Sequence, residues 1–329
     1  MRPLFEPVVD RYDSPSQGDH AMGLKTYRYL RLSMIILMVA LGASVLLVRR
    51  KHTYFEQSIS AYYYTSAHSV FVGALVATGV ALTVIKGRTT LEDWMLSIAG
   101  VFAPVIAFVP TTSLNANALS ADALAAARNN VAALLVAGWA AWMVVASVTA
   151  FARGDRARTP QVERWRRWSS VAGMFLLLTA ATVFYLGWWA SFATHAHGYS
   201  AAAMFAALGA AALVNGLGHH VSPEVGSTHA TSYLVVGILM WGVGIGFVVT
   251  SIGNFQWSHE VLEVEAVEIL LFVVFWAIQS RERWYWTVAP PASASTAPDE
   301  HAAHPDPDDF IDLHAMNPPT HESHEAARP

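Results

Sequence analysis

Three stretches of this chain carry side chains whose types and spacing could do chemistry. The first reads YFEQSISAYYYTSAH and supplies Glu56, Ser58, Ser60, Tyr62, Tyr63, Tyr64 and His68. The second, FATHAHGYS, supplies His195 and His197, and the third, NFQWSHEVLEVEAVEILL, supplies His259, Glu260, Glu263, Glu265 and Glu268. Imidazole with carboxylate is a ligand set that suits zinc and other divalent metals. His259 and Glu263 stand four apart, hence on one face of a helix, and His195 and His197 would add two nitrogens. A metal such as zinc would therefore be held by His195, His197, His259 and Glu263. HxH and HxxxE also arise by chance, and HExxE lacks the second histidine of a zincin motif. The competing reading is hydrated loop histidines beside carboxylates that face solvent.

Glu268 raises a different chemistry. It falls about seven residues into an apolar run, roughly 10 Å deep at helical rise. A carboxylate at that depth costs a few kcal/mol unless it is protonated, paired or hydrated, so it is expected to face the bundle interior. Its partners would come from Tyr62, Tyr63, Tyr64, Ser58 and Ser60, or from the histidine loop, which makes this group a candidate ligand or proton site. Glu263 and Glu265 are expected nearer the headgroups, without partners. The alternative is a helix that begins only near Val267, with these acids in an amphipathic lead-in.

These groups are positioned by a strongly apolar chain. Of 329 residues, 54% are hydrophobic and only 13% charged, against about 25% charged in an ordinary soluble domain. The net charge of −4 argues against a nucleic-acid partner, and the absence of cysteine excludes disulfides and thiolate chemistry. Eight apolar runs approach the roughly 20 residues that span a bilayer: 29–48, 68–85, 94–110, 131–151, 170–190, 199–217, 233–252 and 261–279. They are apolar on nearly every side, which rules out barrel strands and leaves continuous helices. The fold class is all-α, a polytopic helical membrane protein of about eight transmembrane helices whose principal partner is the lipid bilayer. Runs three to seven contain no Asp, Glu, Lys, Arg or His within these limits. Runs three and six, one short and one rich in Ala and Gly, are the weakest spans.

With the N-terminus inside, 16 of the 20 Lys and Arg fall on the cytoplasmic side and four, Arg49, Arg50, Lys51 and Arg128, outside. That bias predicts an inner (cell) membrane protein with both termini cytoplasmic. Residues 1–28 form a cytoplasmic segment too acidic for a cleaved signal peptide, 29–286 the transmembrane domain, and 287–329 a tail. The tail holds eight acids and five histidines and few large apolar groups, so disorder is expected. Eight of the twelve tryptophans lie at run ends, as an interfacial belt does. Gly242 and Gly246, four apart, and Ala203, Ala207 and Ala211 predict close packing of runs six and seven. His219, His220, Glu224 and His229 fall in a turn-rich loop and read as exposed.

The run SISAYYYT, followed by VFVGALVATGVALTVIKG, an acidic pair and AGVFAPVIAFVPT, resembles a group of uncharacterised bacterial multi-pass membrane proteins common in actinobacteria. The stretch EVEAVEILLFVVFWAIQS is similar to that group's last helix. The resemblance implies a membrane fold and brings no assigned activity. Ser58, Ser60 and His68 also resemble the early Ser and His positions of the alkaline-ceramidase and progestin-receptor superfamily, whose zinc site would imply hydrolysis. That superfamily's paired histidines in the last helix are missing here, where Glu263 follows His259. Three functions remain open: an integral membrane protein with an outward-facing polar ligand or ion site, a membrane-embedded metal-dependent hydrolase, and a proton-coupled carrier.

Overall fold

The computed structural model describes residues 17–52, 54–111, 121–151, 161–221, 229–253 and 257–283. Among them it is all-α. Eight helices follow in order: α1 Gln17–His52, α2 His68–Val84, α3 Thr90–Phe108, α4 Ala121–Phe151, α5 Gln161–Gly187, α6 Trp189–Val221, α7 Ala230–Gly253 and α8 Glu260–Arg283. A short 3-10 helix, Ser60–Tyr64, lies between α1 and α2. Six helices are long and apolar enough to cross a membrane, while α2 is shorter and α8 carries acids at its start. The protein is an integral membrane protein of polytopic helical design. The expected tail, 287–329, lies outside the described residues.

The helices run past the apolar spans at most ends. Hydropathy marks where lipid stops, whereas a helix continues while its own backbone bonds are the best available. For α3 the start is local chemistry. Thr89 has extended backbone and its hydroxyl accepts from the Glu92 N–H at 3.2 Å, an N-cap that satisfies one of the donors a helix start leaves free. Glu92 and Asp93 in that first turn oppose the positive end of the helix dipole. The expected start of run three at residue 94 therefore misplaced these two acids outside the helix.

A core of buried side chains joins α1, α2, α3, α6, α7 and α8, with Leu82, Leu96, Ala103, Leu208, Ala211, Tyr233 and Trp276 at or near zero exposure. Helices α4 and α5 pair with each other at the side of this core and bury little. A second cluster, Val109, Val131, Tyr185, Phe192 and Ala196, joins them to α3 and α6 at one end. There the Tyr185 hydroxyl donates to the Arg128 carbonyl at 3.1 Å.

Helices α3 and α6 are antiparallel, as two polar contacts record. Asn215 meets Glu92 near the start of α3, and His197 meets Val109 at its end. Seventeen residues separate Glu92 from Val109, about 26 Å at a rise of roughly 1.5 Å per residue, close to the thickness of a hydrocarbon core. The pair is thus apolar through its middle and polar at both ends.

Close helix approach depends on glycines, though not on the pair the motif suggested. A Cβ on Gly242, Gly244 or Gly246 would meet nothing within 4 Å, so these residues seat no neighbouring helix. The seating glycines of α6 and α7 are Gly209, Gly216 and Gly237. A Cβ at Gly237 would lie 2.9 Å from the Gly209 carbonyl oxygen, and one at Gly216 2.5 Å from Leu234 Cγ. The tight packing of α6 on α7 is real at these glycines; Ala207 and Ala211 are buried but stand two residues from Gly209, on another face of α6. The packing uses the half of α7 that begins the helix, whereas 242–246 belongs to the half that splays away.

Candidate functional site

No loop separates the fifth and sixth helices. Only Trp188 lies between α5 and α6, and its N–H donates to the Phe184 carbonyl at 3.0 Å. His195 and His197, expected in a loop, are therefore helical residues of α6. Nothing in FATHAHGYS stops a helix, since a single internal glycine costs only about 1 kcal/mol. Helix geometry then parts the two rings, because residues two apart do not share a face. His195 is exposed, with Nδ1 3.0 Å from the Ser191 carbonyl and its ring stacked on Tyr199 at 5.7 Å. His197 turns inward and is 6% exposed.

The other two expected metal ligands are placed apart from these. Glu263 accepts from the Trp257 indole N–H at 3.0 Å at an exposed position, and His259 Nδ1 is buried without a partner. Among the described residues, no group of three His, Asp or Glu is arranged to hold a metal ion. Glu260 is 3% exposed and accepts from the Thr250 hydroxyl, joining α8 to the end of α7. The side chains of His219 and His220, and all of Glu224, lie outside the described residues.

The expected cluster around Glu268 divides in two. It is Glu265 that holds the Ser60–Tyr64 turn. Its Oε1 accepts from the Ser60 hydroxyl at 2.6 Å, and its Oε2 from the backbone N–H groups of Ile59 at 2.5 Å and Ser60 at 3.2 Å. Far from standing free near the headgroups, Glu265 closes a loop onto α8. The physical reason is the start of the 3-10 helix, whose free N–H groups make a ready donor site for a carboxylate. Ser58 accepts from the Ala61 N–H at 2.9 Å, tightening the same turn. Tyr62 is fully buried, and burial pushes its phenol above the ordinary value, so it stays neutral in this loop. Tyr63 packs edge-on against His68 at 4.2 Å, and Tyr64 donates to the Thr111 carbonyl at 2.9 Å. These groups anchor the loop to α2, α3 and α8.

Glu268 instead borders a cavity of about 550 Å³ between α6, α7 and α8. It is 2% exposed, so it faces the bundle and not lipid. His197, Glu265, Phe205, Trp241 and Phe247 line the same cavity, whereas Ser58, Ser60 and Tyr62–Tyr64 do not. Two polar atoms among these lining groups are buried with no hydrogen-bond partner, Glu268 Oε2 and His197 Nε2. The other nitrogen of His197 is committed, lying 2.6 Å from the Val109 carbonyl oxygen. Other buried atoms, Trp276 Nε1, Gln279 Oε1 and Ser280 Oγ among them, lack a partner as well; these two differ in that both residues line one cavity.

A second polar centre sits at the other end of α3, and sequence reasoning missed it. Glu92 is 1% exposed. Its Oε1 accepts from the Asn215 and Gln279 amides, each at 2.8 Å, and its Oε2 from the Arg88 N–H at 2.5 Å. Arg88 also pairs with Glu282, which accepts from the Tyr233 hydroxyl at 2.8 Å. One carboxylate thereby ties α3, α6 and α8, and a second ties α7 and α8 to the α2–α3 connection. The available signal was Asn215 and Gln279, two amides inside otherwise apolar runs. A search restricted to ionisable groups passes over amides, although they too need partners in a bilayer.

These features define the class: an all-α polytopic membrane protein with a largely apolar cavity bordered by a few polar groups in one half and a buried polar network in the other. No protein-family profile matches the chain, and neither a curated protein nor a solved structure matches it.

Proposed function

We propose that the protein is a membrane-embedded binding protein that takes a small ligand into the α6–α7–α8 cavity, with Glu268 and His197 as its polar contacts. The observation that carries this reading is the pair of unpartnered buried atoms, Glu268 Oε2 and His197 Nε2, at one cavity. A volume of about 550 Å³ lies within the range of small-molecule sites, about 300–1,000 Å³. Mostly apolar walls with a few convergent polar groups are the composition such sites share.

The test is chemical. A hydrophobic carbodiimide reacts with a protonated carboxyl that apolar reagents can reach. Peptide mapping by mass spectrometry is expected to find Glu268 modified well ahead of Glu265, whose two oxygens are held by three donors. Equal labelling of the two, or none at Glu268, would count against an accessible acid in the cavity.

The proposed setting is the cell membrane with the Glu92 end of α3 cytoplasmic. The support is the split of basic residues, 16 against four, and the position of Lys86 and Arg88 beside Glu92 and Asp93 at that end. Reporters inserted in 153–160 or fused after Arg283 should both behave as cytoplasmic. An external signal from the 153–160 insertion would reverse the assignment and put the cavity half inside.

A further inference from the structure

We infer that the ligand of the α6–α7–α8 cavity is an amphipathic amine, a primary or secondary ammonium on a compact apolar body. This inference rests on the binding reading above. It follows from which hydrogen-bonding roles the site leaves open.

His197 Nδ1 lies 2.6 Å from the Val109 carbonyl oxygen. A carbonyl only accepts, so Nδ1 carries the proton and donates it. In the neutral ring the remaining nitrogen, Nε2, is then an acceptor with a free lone pair. It is this atom that is buried and unpartnered at the cavity. Glu268 Oε2 is buried without a partner too, and the carboxyl, once it has passed its proton to an entering amine, is acceptor-only. Thr194, also in the lining, already spends its hydroxyl proton on the Ala190 carbonyl at 2.8 Å. The two unpartnered atoms thus ask for donors, while Thr111 and Trp241 in the lining carry donors of their own.

Charge and shape narrow the choice. Among the described residues no Lys or Arg lines the cavity, and the acidic and histidine groups there are His197, Glu265 and Glu268. Glu265 is occupied by the Ile59 and Ser60 donors. A carboxylate or phosphate ligand would meet acceptors and find no countercharge. Phe205, Trp241 and Phe247 stand in the wall, and aromatic faces attract cations. An ammonium with at least two N–H bonds brings the donors that Oε2 and Nε2 lack, while its apolar body suits the Ala- and Val-lined remainder. A quaternary ammonium keeps the charge and the aromatic contact but has no N–H for either atom.

The probes are four compounds sharing one apolar body: 4-phenylbutylamine, 4-phenylbutanol, 4-phenylbutyrate and 4-phenylbutyltrimethylammonium. Each is added to the full chain in detergent near neutral pH, with the thermal midpoint and carbodiimide labelling of Glu268 as readouts. Labelling counts both the acylurea and the amide that the amine forms with the activated carboxyl, and the reagent is kept in excess over 4-phenylbutyrate, which also consumes it. The amine is expected to slow labelling about tenfold at ten times its dissociation constant and to raise the midpoint. The trimethylammonium compound should do so more weakly, the alcohol and carboxylate not at all. His197→Leu should weaken protection by the amine without preventing labelling. Protection by butyrate or alcohol equal to that by the amine would overturn the amine assignment and leave the binding cavity standing. Labelling that no probe slows, with no midpoint shift, would also overturn it. Failure of Glu268 to label at all, with no midpoint shift from any probe, would remove the binding reading itself.

Discussion

Glu92→Ala is expected to destabilise the fold by about 3–5 kcal/mol, the range for stripping one partner from a buried charged network. The carboxylate accepts from the Asn215 and Gln279 amides and from the Arg88 backbone N–H. Alanine leaves these donors facing a void. Asn215 suffers least, because its amide also donates to the Ala211 carbonyl at 3.1 Å. The Gln279 amide and the Arg88 N–H lose the acceptors described for them, and a buried donor without a partner costs about 1–3 kcal/mol. Measured hydrogen bonds inside membrane proteins average only about 0.6 kcal/mol, and three such bonds would give about 2 kcal/mol. The higher figure is expected here because Glu92 is buried at 1% exposure, with little room for water to replace it. Glu92→Gln retains one acceptor for the two amides and turns a donor toward Arg88, so about half the loss is expected. Unfolding titrations in mixed detergent measure both. A loss under about 1 kcal/mol for Glu92→Ala would show that the cluster rearranges freely and does not hold α3, α6 and α8 together.

The eight helices were legible because a bilayer forces apolar runs of fixed length on any helical span, and no competing architecture hides its backbone there. Residues 68–85 and 233–252 show how closely: α2 is His68–Val84 and α7 Ala230–Gly253. Side-chain partnership was much less legible. Glu265 and Glu268 differ by three positions in one acidic lead-in, and composition gives no reason to rank them. The difference comes from the Ser60–Tyr64 turn, some 200 residues away in sequence, whose N–H groups arrive at Glu265 and not at Glu268. His195 and His197 look alike in a string and face opposite environments once α6 is continuous through both. The inward placement of Glu268 followed from cost alone, since a lipid-facing carboxylate at that depth has nothing to offset it. Its neighbour across the cavity, His197, required the antiparallel register of α3 and α6, which no local pattern encodes. Gly242 and Gly246 mark the same limit, because a small-residue spacing says a helix can approach but not which helix is there.

Gly79→Ala is the smallest change expected to have a large effect. Gly79 in α2 faces Gly100 in α3, and the two helices touch backbone to backbone. An added Cβ at Gly79 would lie 2.7 Å from the Gly100 carbonyl oxygen and 2.8 Å from Pro104 Cδ. Neither neighbour can swing aside, one being backbone and the other a ring fixed to it. The contact has a sequence cause. Pro104 lies inside α3, and having no N–H it cannot bond the carbonyl four residues earlier, which is that of Gly100. The freed oxygen lies against Gly79, where only a residue without a side chain lets α2 come so near, and a Cα–H of Gly79 turned toward it would supply part of the missing bond. The relation is mutual, for a Cβ at Gly100 would lie 2.7 Å from the Gly79 carbonyl oxygen. Overpacking of a rigid contact costs about 1–3 kcal/mol, and here the shift also pulls away what little satisfies the Gly100 oxygen. A loss at the top of that range, about 3 kcal/mol, is therefore expected for Gly79→Ala, and more for Gly79→Leu. Gly242→Ala and Gly246→Ala supply the control, since their Cβ atoms enter open space and alanine is the better helix former by about 1 kcal/mol. Thermal midpoints in one detergent rank the four variants. If Gly79→Ala proves as stable as Gly242→Ala, α2 and α3 do not meet at these glycines.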